Sequence, residues 1–418
     1  YVNQLLEDIR HLSLVANITH TQIKRLEQAG ISSIDDLATT SETTVPKLNN
    51  AIFTRLVMQA KIQLASREKE KPDYLILEHE TGKAKGLALL PPHSDADIFF
   101  DIEGFPLLNG GLEYLWGATY FDATGDRVFR DFWAHDQDQE KQAFIEFVEW
   151  VFDRWKQDPD MHVYHYASYE ITAVRKLMGR YGVCEHEVDT LLRNNVFVDL
   201  YNVVRHGLLI GEPRYSIKNV EHIYRGKRDT DVASGGESVI VYEEWRNSPD
   251  GEDWTTSPVL NSIRDYNKDD CDSTQELTSW LRHEQTTHGI TFISPEREGE
   301  VELSEEATEI INMREDLLVL SDNELETGKK SLSKNLAWML EFHRRENKPT
   351  WWRLFDRLGL NELDLYDDMD CLVGLQRTDT LPYLPTPRSK NKVYEYAYDT
   401  NQPFKGHSGS FYILDPDD

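Results

Sequence analysis

The chain has 418 residues, with 45 basic and 74 acidic side chains for a formal charge of −29, and is 39 % hydrophobic and 11 % aromatic. That length allows two or three domains with proper cores, and no apolar run approaches the length needed to cross a membrane. The charge argues against a broad phosphate-neutralising surface, so any grip on nucleic acid is local, metal-mediated or supplied by another part of a longer protein. Tyr1 in place of an initiator Met leads us to expect that the sequence is an excerpt of such a protein. Cys184, Cys271 and Cys371 are isolated and odd in number. They offer neither a disulfide framework nor a zinc or iron–sulfur spacing, which fits a reducing cytoplasm.

Residues 1–70 read as helical, with Leu5, Ile9, Leu12, Ile23 and Leu26 at helical spacing and a longer helix over about Val45 to Glu68. The order of a helix, a Gly30-Ile31 turn and Ile34-Asp35-Asp36-Leu37-Ala38 resembles a helix-hairpin-helix unit, which contacts the DNA backbone in other proteins. The second hairpin has Thr43-Thr44-Val45-Pro46-Lys47 where phosphate-binding glycines would stand, so a helical spacer is the preferred reading. Residues 71–96, with Gly82, Gly86, Pro91 and Pro92, read as a linker or a strand-bearing approach.

From 97 to about 290 the pattern is mixed α/β. Asp97-Ile98-Phe99-Phe100-Asp101-Ile102-Glu103-Gly104 is a strand whose period of two puts Asp101 and Glu103 on one face, with Phe100 and Ile102 turned into a core. Leu112–Phe121 and Arg127–Trp133 read as two further strands joined by a turn at Asp122-Ala123-Thr124-Gly125. Gln139–Lys156 is an amphipathic helix. Met161–Tyr166 is a buried strand, followed by a helix from an N-cap at Ser168 through Arg180. Val196–Val198 is a strand running into a helix, and Ser216 opens another. The segment 226–256, Gly- and charge-rich with a short helix near Val239–Trp245, reads as an insertion, and Pro258–Gln285 is a long helix. Three antiparallel strands, helix, parallel strand, helix, strand is the order expected of an RNase H-like mixed sheet flanked by helices. Residues 299–360 read as a helical connector, with helices at Glu305–Leu318 and Lys329–Asn347 and a short one around Trp351–Leu358. Residues 361–418 read as the start of a C-terminal β region, alternating at Val393, Tyr394, Tyr396 and Tyr398, then Phe411 and Ile413.

Three acidic motifs lie in the α/β segment. They are Asp101-Ile102-Glu103, Tyr166-Ala167-Ser168-Tyr169-Glu170 at a strand-to-helix turn, and Tyr266-Asn267-Lys268-Asp269-Asp270 on the last helix. On that helix Tyr266 and Asp270 are four apart and share a face, and Thr274 continues the row. These motifs resemble those of the DEDD family of 3′–5′ exonucleases in its Tyr-bearing branch. More closely, DIFFDIEGFP, YHYASYEITAV, VDLYNVV and YSIKNVE resemble the RNase H-like exonuclease domain found beside RecB-type nuclease and superfamily I helicase domains in bacterial proteins. Glu170 stands where the wider family has Asp.

The resemblance implies hydrolysis of nucleic acid, DNA ahead of RNA and single-stranded DNA first, inside a larger cytoplasmic nuclease/helicase polypeptide serving DNA repair or defence, without membrane contact. It also implies two Mg²⁺ or Mn²⁺ ions, which prefer carboxylate oxygens and clamp the attacking and leaving oxygens of an in-line displacement. Asp101 would bridge both ions, Glu103 would hold the ion carrying the water, and Glu170 and Asp270 would complete the set. Tyr266 would orient the water or help remove its proton.

Weaker candidates surround this set. His165 and Tyr169 flank the second motif and touch the terminal nucleotide on one reading, or serve the core on the other. Ser216 and Lys218 at a helix start bind phosphate on one reading and are a plain cap with a solvated lysine on the other. Cys184 with His186 is too sparse for a metal site, and Trp351-Trp352 reads as packing. The alternative function is a catalytically silent RNase H-like scaffold or nucleic-acid-binding module between nuclease and helicase domains.

Overall fold

The computed structural model describes residues 6–79, 82–225, 235–294, 305–323 and 327–340, with scattered positions from 342 to 405. The chain opens with α1 (His20–Gln28), α2 (Ile34–Thr39), α3 (Asn50–Ser66) and strand β1 (Tyr74–Ile76). The α/β region follows with β2 (Ile98–Phe105), β3 (Leu112–Phe121), β4 (Arg127–Trp133), α4 (Gln137–Gln157), β5 (Val163–His165), α5 (Tyr169–Tyr181) and α6 (Glu185–Arg193). Next come β6 (Phe197–Asp199), α7 (Leu200–Gly207), β7 (Leu208–Ile210), α8 (Ile217–Tyr224), α9 (Gly235–Asn247) and α10 (Pro258–Thr287). The remainder carries α11 (Glu305–Asn323), α12 (Thr327–Leu340), β8 (Gln376–Arg377) and β9 (Tyr396–Ala397). Two compact units result, one of residues 1–17, 33–40 and 56–299, the other of residues 18–32, 41–55 and 300–418.

The first unit is built on a five-stranded sheet in the order β4-β3-β2-β5-β6, antiparallel from β4 to β2 and parallel from β2 to β6. This mixed sheet flanked by helices is the RNase H-like arrangement expected from the sequence, and β3 and β4 have the predicted limits. Both faces of β2 are covered. Phe100 stacks on Phe147 of α4, ring centroids 4.3 Å apart, and on Trp116 of β3 at 5.8 Å. Phe99 joins Tyr164, Leu277 and Leu281 in the core cluster that includes α10. Pro258 at the first turn and Ser257, whose hydroxyl accepts from the Leu260 N–H at 3.0 Å, start that 30-residue helix.

The sequence reading missed α6 and the pairing of β1 with β7, where Tyr74 faces Ile210 and Ile76 faces Leu208. Gln59 of α3 donates to the Ile210 carbonyl at 2.8 Å and so ties the helix to that pair. In the second unit, Thr19 and Gln22 form a capping box at α1, α11 packs on α12, and β8 pairs antiparallel with β9. Arg357 grips Asp368 through two donors, at 2.7 and 3.1 Å. The expected end of the second helix near Asn347, most of the helix around Trp351–Leu358, and Phe411 and Ile413 lie outside the described residues.

Asp97 at the start of β2 is buried and accepts from the His162 N–H at 2.9 Å, the Ser94 N–H at 3.2 Å and Arg282 of α10 at 2.9 Å. The same guanidinium nitrogen donates to the Tyr164 hydroxyl at 2.6 Å. This pair locks β2, β5 and α10 together. Removing one partner strands a buried charge. Arg282→Met should therefore lower the free energy of unfolding by about 3–5 kcal/mol, and Asp97→Asn combined with Arg282→Met by less, as measured by urea titration.

Candidate metal centre

Asp101 and Glu103 lie on the face of β2 turned to α10, which brings Asp270 against them. One carboxylate oxygen from each of the three residues lies within 4.8 Å of the others. This converts spacing along strand and helix into one acidic cluster. Glu103 and Asp270 are buried.

The electrostatics follow from that burial. Asp101 is held well above the usual carboxylate range, first by desolvation and then by the charges of Asp270, Glu103 and Glu170. The Asn267 amide opposes this by donating to Asp101 Oδ2 at 2.7 Å. Burial likewise raises Glu103, to about 8, with Asp270 and Glu170 adding to it. The Ser238 hydroxyl, donating to Glu103 Oε2 at 2.7 Å, and the charge of Lys218 work the other way. The Tyr266 phenol is raised by burial, then by Asp270, Glu103 and Asp101, and it hydrogen-bonds the Asp270 side chain. Lys218 Nζ lies 4.6 Å from the Tyr266 ring centroid, a cation–π distance.

Glu170 contributes no atom to the three-residue group. Its Oε2 is buried and lies 3.5 Å from His165 Nδ1, although its charge reaches Asp101 and Glu103. The turn between β5 and α5 that carries it is tight. Ala167 has φ +71°, its N–H donates to Asp199 at 2.8 Å, and its carbonyl lies 2.7 Å from His165 Nδ1. Burial opposes a charged imidazole at His165, yet Glu170, Asp199 and the Ala167 carbonyl together raise its pKa. His165 is 2 % exposed and lies against Glu170.

Tyr169 is 49 % exposed, with its hydroxyl tethered to Glu113 of β3 at 2.6 Å. The tether crosses Gly104, where a Cβ would stand 2.1 Å from the phenol oxygen. Ser168 precedes α5 as predicted but makes no side-chain cap, and the Ser216 hydroxyl donates to Asn219 Oδ1 at 2.7 Å.

Sequence reasoning missed two residues of the site. Asn267 lies inside the third motif, and its signal is Gly117 opposite Asp101 on β3: a Cβ there would stand 1.7 Å from Asn267 Oδ1. Ser238 comes from the segment read as an insertion, and no sequence pattern marks it.

The donor set fits a divalent ion, because three hard oxygen ligands converge within 4.8 Å of one another. Residues 98–282 match the family model described as RNase_H superfamily. No curated protein and no solved structure matches the chain. The matched region is thus an RNase H-like domain with an acidic cluster suited to a metal ion.

Raised carboxylate pKa values mean that the folded protein binds more protons than the unfolded chain between about 4.5 and about 8 at Glu103. Without metal, the site therefore loses stability as pH rises through that window. Glu103→Gln should stabilise the chelator-treated protein at pH 8 by on the order of 2 kcal/mol, with the gain shrinking toward pH 5. Urea unfolding in EDTA at both pH values checks this, and an equal effect at both would contradict it.

Proposed function

We propose that the region 97–290 is a metal-dependent 3′–5′ exonuclease acting on single-stranded DNA within a larger nuclease/helicase protein. The observation that carries this reading is the convergence of Asp101, Glu103 and Asp270 within 4.8 Å inside an RNase H-like sheet. The same helix carries a tyrosine hydroxyl one turn before the third acid. The resemblance to the Tyr-bearing exonuclease branch supplies the polarity and the substrate.

In this reading Asp101, Glu103 and Asp270 hold Mg²⁺ or Mn²⁺, and Glu170, steadied by His165, completes the set for a second ion. When bound, the ions supply Lewis-acid polarisation of the phosphate and lower the pKa of the attacking water. Burial and the carboxylates of Asp270, Glu103 and Asp101 raise the Tyr266 phenol in the metal-free site; in this reading it orients the attacking water or helps remove its proton. Tyr169, tethered through Glu113, presents a half-exposed ring to the terminal nucleotide. Lys218 adds positive charge beside Tyr266 for the scissile phosphate.

The test is digestion of end-labelled single- and double-stranded DNA and RNA with Mg²⁺, Mn²⁺ or chelator. The expected result is metal-dependent shortening of single-stranded DNA from its 3′ end. Tyr266→Phe should lower kcat by about 10²-fold with Mn²⁺ affinity nearly unchanged, whereas Asp270→Asn should damage both. Metal uptake without cleavage of any substrate would leave the scaffold reading.

With few basic contacts to phosphate, few counterions are released on binding. The slope of log affinity against log salt for single-stranded DNA should accordingly be shallow, about −3 or flatter, in filter binding with Ca²⁺. Tight, steeply salt-dependent binding in chelator would contradict metal-centred capture.

A further inference from the structure

Helix α9 reaches the acidic cluster through a residue that no catalytic motif contains. Ser238 is fully buried, and its hydroxyl donates to Glu103 Oε2 at 2.7 Å, with the buried Tyr114 phenol beside it. The hydroxyl's place is set by a column of aromatic rings. Tyr242, one turn further along α9, stacks on Tyr114 of β3 with centroids 3.8 Å apart and planes 4° from parallel. It meets Phe105 of β2 edge-on at 5.4 Å, and its own hydroxyl lies 3.0 Å from His135 Nδ1. The contact to Glu103 therefore rests on packed helix and sheet.

The kind of donor matters. A lysine or arginine at this position would supply the positive charge itself and compete with a metal ion. A hydroxyl fixes the carboxylate and leaves its charge in place. With Oε2 held, Oε1 is the oxygen that Ser238 leaves to the cluster. Asn267 does the same for Asp101 from α10, holding Oδ2.

We propose that Ser238 is a positioning residue for metal. It selects the orientation of the Glu103 carboxylate that faces Asp101 and Asp270, and so makes α9 a working part of the centre. This inference rests on the metal-dependent reading above. Residues of this kind, which touch ligand side chains and not the ion, typically change metal affinity by about 10–100-fold when removed.

The experiment is calorimetric titration of the metal-free full chain with Mn²⁺, with the melting temperature in EDTA as a separate report on folding. Ser238→Ala should weaken Mn²⁺ binding about 10–100-fold, while Ser238→Thr, which keeps the hydroxyl, should stay within about threefold of the wild type. Wild-type affinity in Ser238→Ala would overturn the role of Ser238 and leave the metal site standing. Equal weakening in Ser238→Ala and Ser238→Thr would assign the loss to packing and overturn it as well. Should Ser238→Ala not fold, Ser238→Cys, of similar size with a weak donor, decides: undiminished affinity there refutes the proposal. A wild-type chain that takes up no Mn²⁺ removes the metal-site reading itself, and this inference with it.

Discussion

Three carboxylates held within 4.8 Å of one another, two of them buried, is the constraint on which the first unit depends. Burial and mutual repulsion both favour the protonated forms, and the surrounding fold must hold the groups together against that cost. The fold manages it by covering β2 on both faces. The aromatic stack of Phe100, Trp116 and Phe147 anchors one side, and α10 is packed through Leu277 and Leu281 on the other. Packing holds the acids in place, while the charge of Lys218 eases the repulsion at Glu103.

The same strand shows the opposite solution a few residues earlier. Asp97, equally buried, receives a guanidinium from Arg282 and two backbone N–H groups. A pair of that kind is closed, because the charge is neutralised and the oxygens are occupied. At Asp101 and Glu103 the direct hydrogen bonds come from a neutral amide and a neutral hydroxyl. Lys218 bears on Glu103 only through its field. The distinction separates an acid closed off by a salt bridge from acids whose direct partners are neutral.

Much of this was legible in the sequence. Asp101 and Glu103 announce their shared face through the period of two, β3 and β4 through long β-rich runs around an Asp-Ala-Thr-Gly turn, and Tyr266 with Asp270 through helical spacing. What escaped was non-local. Leu208-Leu209-Ile210 is a short apolar run directly after a helix, and only its partner Tyr74–Ile76, far away in the chain, makes it a strand. Ser238 and Asn267 are uncharged, and their roles exist only once α9 and α10 are brought against β2. Gly117 is a readable trace of that approach, but a glycine within a strand has many causes.

Glu170 shows how local packing sets the direction of a side chain. Its motif places it with the other acids, and its charge does act on Asp101 and Glu103, yet its carboxylate is turned to His165. Glu carries one more methylene than Asp and therefore reaches further from the helix start, with an extra torsion to choose its direction. The left-handed Ala167 and the Asp199 carboxylate that accepts its N–H fix the turn, and the buried imidazole then selects one of those directions. Burial works against a charged His165, and Glu170 and Asp199 outweigh it to raise the imidazole pKa.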